Sequence, residues 1–233
     1  MMNKSQKAQP INRARKARRS ALRALAAACF CAAILPVLIG GGRPANAASE
    51  AGEFLTSMTG RAIAQLTDES LPLPERKTRF RVLFRENFDV PAVGRFVLGR
   101  YWRRAKPEAR DAFLSVFEEI MIQRFAPKFA GYAETSFEII RVRALDKSGD
   151  FMISSKISPD DGEAFEIDWR VRERDGHFKI LDVIGEGISM ALTLRSEYAS
   201  AIKDSGGRIQ ALIDRLRTQV ESDDTQTSKS VAD

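Results

Sequence analysis

The spacing of apolar residues changes character at Gly131. Before it, apolar side chains recur at helical intervals; after it, they alternate. The alternation is clearest from 164 to 174, where Phe165, Ile167, Trp169 and Val171 share one face and Glu166, Asp168, Arg170 and Arg172 the other. Stretches 135–145, 150–158 and 177–185 read the same way, which predicts four strands. Asp175-Gly176 is a strong hairpin signal and Lys147-Ser148-Gly149 suits a slightly longer turn. Links this short favour antiparallel neighbours. Helices followed by a block of strands predict an α+β fold, a four-stranded antiparallel sheet packed by about six helices.

The helical half divides at its prolines. A first helix over 51–67 carries Phe54, Leu55, Met58, Ile63 and Leu66, and Leu71-Pro72-Leu73-Pro74 interrupts it. A second runs over 75–87 with Pro74 in its first turn and Phe80, Leu83, Phe84 and Phe88 on one side. Asp89 suits the N-cap of a short third helix ending near Gly99. The fourth, from Pro107 to about Phe129, is apolar over more than the stripe of about 100° expected of a surface helix. It is either deeply buried or lines something apolar on two sides. Two C-terminal helices, 189–204 and 207–220, are parted by Ser205-Gly206-Gly207, and the polar tail 221–233 is expected to be disordered.

The start of the chain reads as a leader. Eight Lys or Arg and no acid fall in residues 1–24, an apolar run follows from Leu25 to Gly41, and Ala45-Asn46-Ala47 makes a small-x-small cleavage site. Pro36 breaks the run, whose 17 residues fall short of the roughly 20 a spanning helix needs. An uncleaved anchor is the alternative, and Arg18-Arg19-Ser20-Ala21-Leu22 partly fits a twin-arginine signal. Cleavage after residue 47 removes both cysteines and nine basic residues. It leaves 28 basic against 31 acidic residues, a net charge of −3. The basic pI thus belongs to the leader, and nucleic acid is excluded as a partner on overall charge. One domain, 48–220, remains, with no thiol chemistry.

Catalytic motifs are scarce. The single histidine, His177, sits beside a hairpin turn, and there is neither a P-loop nor a GxGxxG. Gly185-Glu186-Gly187-Ile188-Ser189 reads as a strand-to-helix turn with Ser189 as N-cap rather than as a phosphate loop. Asp182 shares the parity of Phe178 and Ile180. An inward-facing acid in an isomerase-like cone is therefore the enzymatic alternative. The preferred reading is no enzyme, no metal and no cofactor. Abundant aromatic residues, an over-wide apolar helix and the missing catalytic set agree with a lipid cavity, although periodicity alone does not show one.

Four segments carry a family resemblance. Asp89-Val90-Pro91-Ala92-Val93-Gly94-Arg95-Phe96-Val97-Leu98-Gly99-Arg100-Tyr101-Trp102 is the first, and Pro107-Glu108 with Phe113 and Phe117 the second. Phe178-Lys179-Ile180-Leu181-Asp182-Val183 with Glu186-Gly187-Ile188-Ser189 is the third, and Arg195, Tyr198, Ile202 and Gly206 the fourth. Together they resemble the MlaC family of periplasmic phospholipid-binding proteins, also known as toluene-tolerance or ABC-transporter auxiliary proteins, over about 50–220. Gly94 departs from the pattern, where alanine or serine is more usual, and is read as a minor difference.

The resemblance implies a curved antiparallel sheet packed by helices around an apolar pocket for acyl chains. It implies a monomeric periplasmic shuttle between an outer-membrane lipoprotein complex and an inner-membrane ABC transporter with an MCE-domain protein, maintaining outer-membrane lipid asymmetry. A hopanoid-associated branch, HpnM, shares the pattern, so hopanoid is the alternative cargo to phospholipid. The lipid-binding walls so implied are Phe96, Val97, Tyr101 and Trp102 around Gly99, and Phe117, Met121 and Phe125 on the fourth helix. Strand parity adds Phe137 and Ile139, then Phe151 and Ile153, then Phe165, Ile167, Trp169 and Val171, and finally Ile180. Arg100, Arg103 and Arg104 are expected to stay wet, near a lipid phosphate or an acidic partner.

Overall fold

The computed structural model of the chain describes residues 43–132, 135–145, 149–160 and 162–232. The expected leader lies outside the described residues up to 42, as do Lys147 and Ser148. Residues 43–47 begin a helix. Seven α-helices are described: α1 (Arg43–Leu66), α2 (Leu73–Asn87), α3 (Val90–Leu98), α4 (Arg100–Arg104), α5 (Pro107–Phe125), α6 (Met190–Asp204) and α7 (Ile209–Ala232). A 3-10 segment, Ala126–Tyr132, follows α5. The strands are β1 (Thr135–Ala144), β2 (Asp150–Pro159), β3 (Phe165–Arg174), β4 (His177–Gly185) and β5 (Ile188–Ser189). The short α4 and the two-residue β5 are additions to the expected elements.

The helix boundaries have identifiable causes. Asp89 caps α3, its Oδ1 accepting from the Ala92 N–H at 3.0 Å. Ser189 caps α6 through the Leu192 N–H at 3.0 Å. At the end of α1 the device is a buried arginine. Arg76, 5% exposed, donates from Nε to the Leu66 carbonyl at 2.9 Å and from a terminal nitrogen to the Asp68 carbonyl at 2.7 Å. A cation there satisfies orphan carbonyls and opposes the negative end of the helix dipole. Arg76→Ala is expected to lower the unfolding free energy by about 2–3 kcal/mol, measured by urea denaturation.

Gly94 is less incidental than its place in the motif suggests. A Cβ there would lie 2.5 Å from Leu114 Cδ2, so glycine lets α3 settle directly on α5. The last helix also differs from expectation. It does not stop near 220 but continues to Ala232. Asp224 accepts from Lys77 Nζ at 3.0 Å and from Gln123 Nε2 at 2.6 Å, which ties the polar extension of α7 to α2 and α5.

The sheet is an open antiparallel meander in the order β1-β2-β3-β4-β5. Asp175 and Gly176 both take positive φ, 53° and 77°, as the expected tight hairpin requires. Two bulges curve the sheet and reset its parity. On β1 the register shifts between Ile139 and Arg141, so Phe137 and Ile139 before the bulge share a face with Val142 and Ala144 after it. On β4 the shift falls at Leu181: Val171 pairs with Ile180 but Arg170 with Asp182. Phe151, Ile153, Trp169, Val171, Ile180 and Val183 consequently share one apolar face.

Two cores result. Helix α1 lays Ala51, Leu55 and Met58 against the apolar sheet face. The second core lies among α3–α7 and contains Val97, Leu98, Tyr101, Phe113, Phe117, Ile120, Met121, Leu194, Tyr198 and Ile202. Phe88 packs against both, and the following Asp89 N–H donates to the Ile180 carbonyl at 3.1 Å. The junction of α2 and α3 is thus stitched to β4 beside its bulge. The wide apolar girth of α5 is explained by burial among helices. Phe113 stacks on Phe117 at 5.6 Å and meets the edge of Tyr198 at 6.0 Å.

Candidate functional site

The apolar sheet face carries most of the strand residues anticipated from parity. Phe137, Ile139, Phe151, Ile153, Trp169, Val171 and Ile180 lie together beneath α1. Phe165 and Ile167 continue the same face opposite Ile157 and Ser155, and both are half-buried. Ile153, Val171 and Ile180 have no exposed surface, so they form the floor. Ser155 is the one polar side chain of this floor and has no exposed surface either. It accepts from Trp169 Nε1 at 2.9 Å and donates to the Ile167 carbonyl at 3.1 Å. That pair satisfies the indole N–H inside an apolar setting, where an unpaired donor is expensive.

The roof is thin where it meets the edge strand. α1 approaches β1 with small residues, and a groove of about 510 Å³ between them is lined by Ala48, Gly52, Thr56, Ile139 and Val142 among others. A Cβ on Gly52 would touch Val142 Cγ2 at 3.4 Å. The helix and strand are therefore separated by little side-chain bulk.

The helical residues anticipated for the same wall lie elsewhere. Val97, Tyr101, Phe117 and Met121 are buried in the helix core, with Trp102 and Phe125 half-buried against it. The stretch RFVLGRYWRR, residues 95–104, expected to wall the lipid pocket with its aromatics, divides instead. Gly99 takes φ 52° and ψ −119°, which ends α3 and starts α4 in a new direction. Val97, Leu98 and Tyr101 then point into the bundle, and Phe96 is left 38% exposed. A Cβ on Gly99 would also lie 3.2 Å from an Arg195 terminal nitrogen. Gly99→Ala is accordingly expected to destabilise the domain by about 1–2 kcal/mol, read as a fall in Tm by calorimetry.

Around Phe96 are two clefts that strand and helix patterns did not foreshadow. One, of about 600 Å³, is lined by Asp89, Phe96, Arg95, Arg170, Arg172, Arg174 and Asp182, with Leu181 and Ala191 nearby. The other, of about 620 Å³, is lined by Arg95, Phe96, Gly99, Arg100, Trp102, Arg103, Arg110 and Arg195. Aromatic rings hold several of these cations: Arg195 lies 4.9 Å from the Phe96 ring centre and Arg110 5.4 Å from that of Trp102. On the β3 side, Arg170 and Arg172 converge on Asp150, whose side chain is fully buried, at 2.6 and 2.7 Å. Burial would raise the Asp150 pKa, but hydrogen bonds from Arg172 and Arg170 outweigh it and hold the carboxyl below its usual range.

Asp182 does not face inward. The Leu181 bulge turns it to the face of Arg170, away from Phe178 and Ile180. Its oxygens accept from the Val183 and Ala191 N–H groups, each at 2.9 Å, and from the Ser189 hydroxyl. The carboxylate therefore braces the turn from β4 into α6. In that turn Glu186 and Gly187 adopt positive φ. His177 is exposed at the start of β4. Among the described residues no cluster of His, Cys, Asp or Glu is placed to hold a metal, and no helix is long and apolar enough to cross a membrane.

An antiparallel meander with one apolar face under α1, joined to a helical bundle edged by arginine clefts, defines a small α+β domain built around a sheltered apolar surface. The MlaC protein family model matches residues 56–218, and the chain belongs to that family. A Haemophilus influenzae protein described as the intermembrane phospholipid transport system binding protein MlaC is 25% identical over 128 residues, 54% of this chain and 59% of its own length. The toluene tolerance protein ttg2D of Pseudomonas putida is 22% identical over 115 residues, 49% of this chain and 53% of its own. The chain thus spans less than two thirds of either curated relative. A phospholipid-binding protein from Ralstonia solanacearum, solved with a phospholipid, shares the fold with a TM-score of 0.68 at 19% identity. That match covers 74% of this chain and 98% of the other.

Proposed function

We propose that this protein is a periplasmic lipid carrier that shelters acyl chains between α1 and the apolar face of the sheet. The observation that carries the proposal is that face itself. It runs across four strands, and among the described residues one helix, α1, roofs it. Its open end exposes Phe165 and Ile167 in part, and small residues of α1 line the groove beside β1. Each methylene taken from water is worth roughly 0.8 kcal/mol, so separating α1 from the sheet is offset once an acyl chain fills the gap. The carrier needs no covalent step. The similarity to a phospholipid transport protein and to a phospholipid-bound structure supports phospholipid as the cargo class.

The carrier would exchange lipid with an outer-membrane lipoprotein complex and an inner-membrane ABC transporter containing an MCE-domain protein, and so maintain outer-membrane lipid asymmetry. It would act as a monomer, without cofactor. Native mass spectrometry of the protein recovered from the envelope without detergent, with organic extraction of its cargo, tests the proposal. An adduct of phospholipid mass is expected. A hopanoid-sized adduct would change the cargo, and a lipid-free protein would overturn the carrier. The same mass spectrum would show whether the chain starts at Ala48, as cleavage after Ala47 requires.

A further inference from the structure

We infer that the arginine cleft around Phe96 and the ridge beside it form a docking surface for an anionic lipid bilayer. The inference rests on the carrier reading and specifies how such a carrier would meet a membrane. Arg95, Arg100, Arg103, Arg110 and Arg195 line one cleft, and none of them forms an ion pair among the described residues. The two carboxylates bordering the neighbouring cleft are already engaged: Asp89 caps α3 and Asp182 braces the turn into α6. Positive charge is therefore concentrated around this cleft in a chain whose net charge, from residue 48 onward, is −3. A charge distribution of that kind orients a protein approaching an anionic surface.

The cations are pre-positioned. Arg195 lies over Phe96, Arg95 and Arg110 over Trp102 at 5.9 and 5.4 Å, and Arg100 over Tyr101 at 4.9 Å. Stacking of this kind uses the guanidinium face and leaves N–H edges for phosphate oxygens.

An exposed apolar side chain accompanies these arginines and Phe96. Phe96 is 38% exposed and Leu192 58%. Leu192 sits one turn before Arg195 on α6, and Arg195 stacks on Phe96. Leu192 lines neither cleft. An acidic peptide would be satisfied by the cleft alone and leave Leu192 in water. A bilayer interface takes up aliphatic side chains and phosphate-level guanidiniums together.

Vesicle co-sedimentation tests this, with phosphatidylglycerol–phosphatidylcholine vesicles set against pure phosphatidylcholine. Wild type, Arg103→Glu/Arg195→Glu and Leu192→Ser are compared with identical N-termini, so a retained basic leader contributes equally to all. Wild type is expected to bind the anionic vesicles and to be released by about 0.5 M salt. The arginine variant should bind at least about tenfold more weakly. The apolar variant should also be weakened. Equal binding by wild type and the arginine variant would overturn the inference. So would an unweakened apolar variant, since a soluble anion or an acidic segment would then be the ligand of the cleft. Native mass spectra of the same samples separate the two readings. A loaded variant that fails to sediment isolates docking. A wild type that docks but never carries lipid keeps the docking surface and removes the carrier.

Discussion

Replacing Arg170 and Arg172 together by alanine is expected to lower the unfolding free energy by about 3–5 kcal/mol at neutral pH, the range for leaving a buried charge without its partner. Asp150 has a side chain with no exposed surface, while Arg170 and Arg172 are 42% and 25% exposed. The loss therefore comes from stranding the carboxylate rather than from the arginines, which can return to water. Either single replacement leaves one guanidinium on Asp150 and should be milder. The pH dependence has a definite sign. The folded pKa of Asp150 is lowered, so its contribution to wild-type stability is complete above the unfolded value near 3.9 and is lost as pH falls through the folded value. Without the arginines, burial alone acts and raises that pKa. Acid then neutralises the stranded group, and the variant's deficit should narrow between pH 7 and pH 4. Urea denaturation at the two pH values measures this. A deficit that stays constant would mean Asp150 is not the cause.

Ile167→Arg is expected to abolish lipid co-purification while moving Tm by no more than a few degrees. Ile167 faces Ser155 on β2 and Gly185 on β4, and a Cβ on that glycine would meet Ile167 Cδ1 at 3.3 Å. It is half-buried at the open end of the sheet face, outside the tightly packed floor. An arginine there can extend its head to water while its stem lies on the sheet, so the fold tolerates it. The guanidinium would nevertheless sit where acyl chains must pass, and desolvating it opposes entry. Lipid extraction beside circular dichroism reads both effects. Undiminished loading in a folded variant would move the acyl site away from this end of the sheet.

Much of this could be read directly from residue order. Four strands are visible because one face is buried and the other wet, so apolar residues must alternate. Asp175-Gly176 marks its hairpin because two successive positive φ values suit few other pairs. Asp89 and Ser189 announce their helices because a short side-chain oxygen is what an exposed N-terminus lacks. These are local demands. What lies beyond them depends on partners distant in sequence. The bulge at Leu181 adds one residue and reverses the facing of those after it, which places Asp182 opposite Arg170. RFVLGRYWRR shows by composition that aromatics and cations will meet. Arg195, almost a hundred residues later, decides which side of Phe96 is covered. Residues 221–232 are polar enough to suggest disorder, yet Lys77 and Gln123 hold Asp224 and keep α7 helical.

By itself, then, the sequence determined the α+β class, the strand pairing, the helix caps and the membership in the MlaC family, because each depends on neighbouring residues or on motif identity. Only the tertiary structure decided which apolar residues form the sheet face under α1, which vanish into the helix core and where the arginines around Phe96 gather. A single extra residue in a strand inverts every later side chain, and a cluster of like charges exists only when separate segments are brought together.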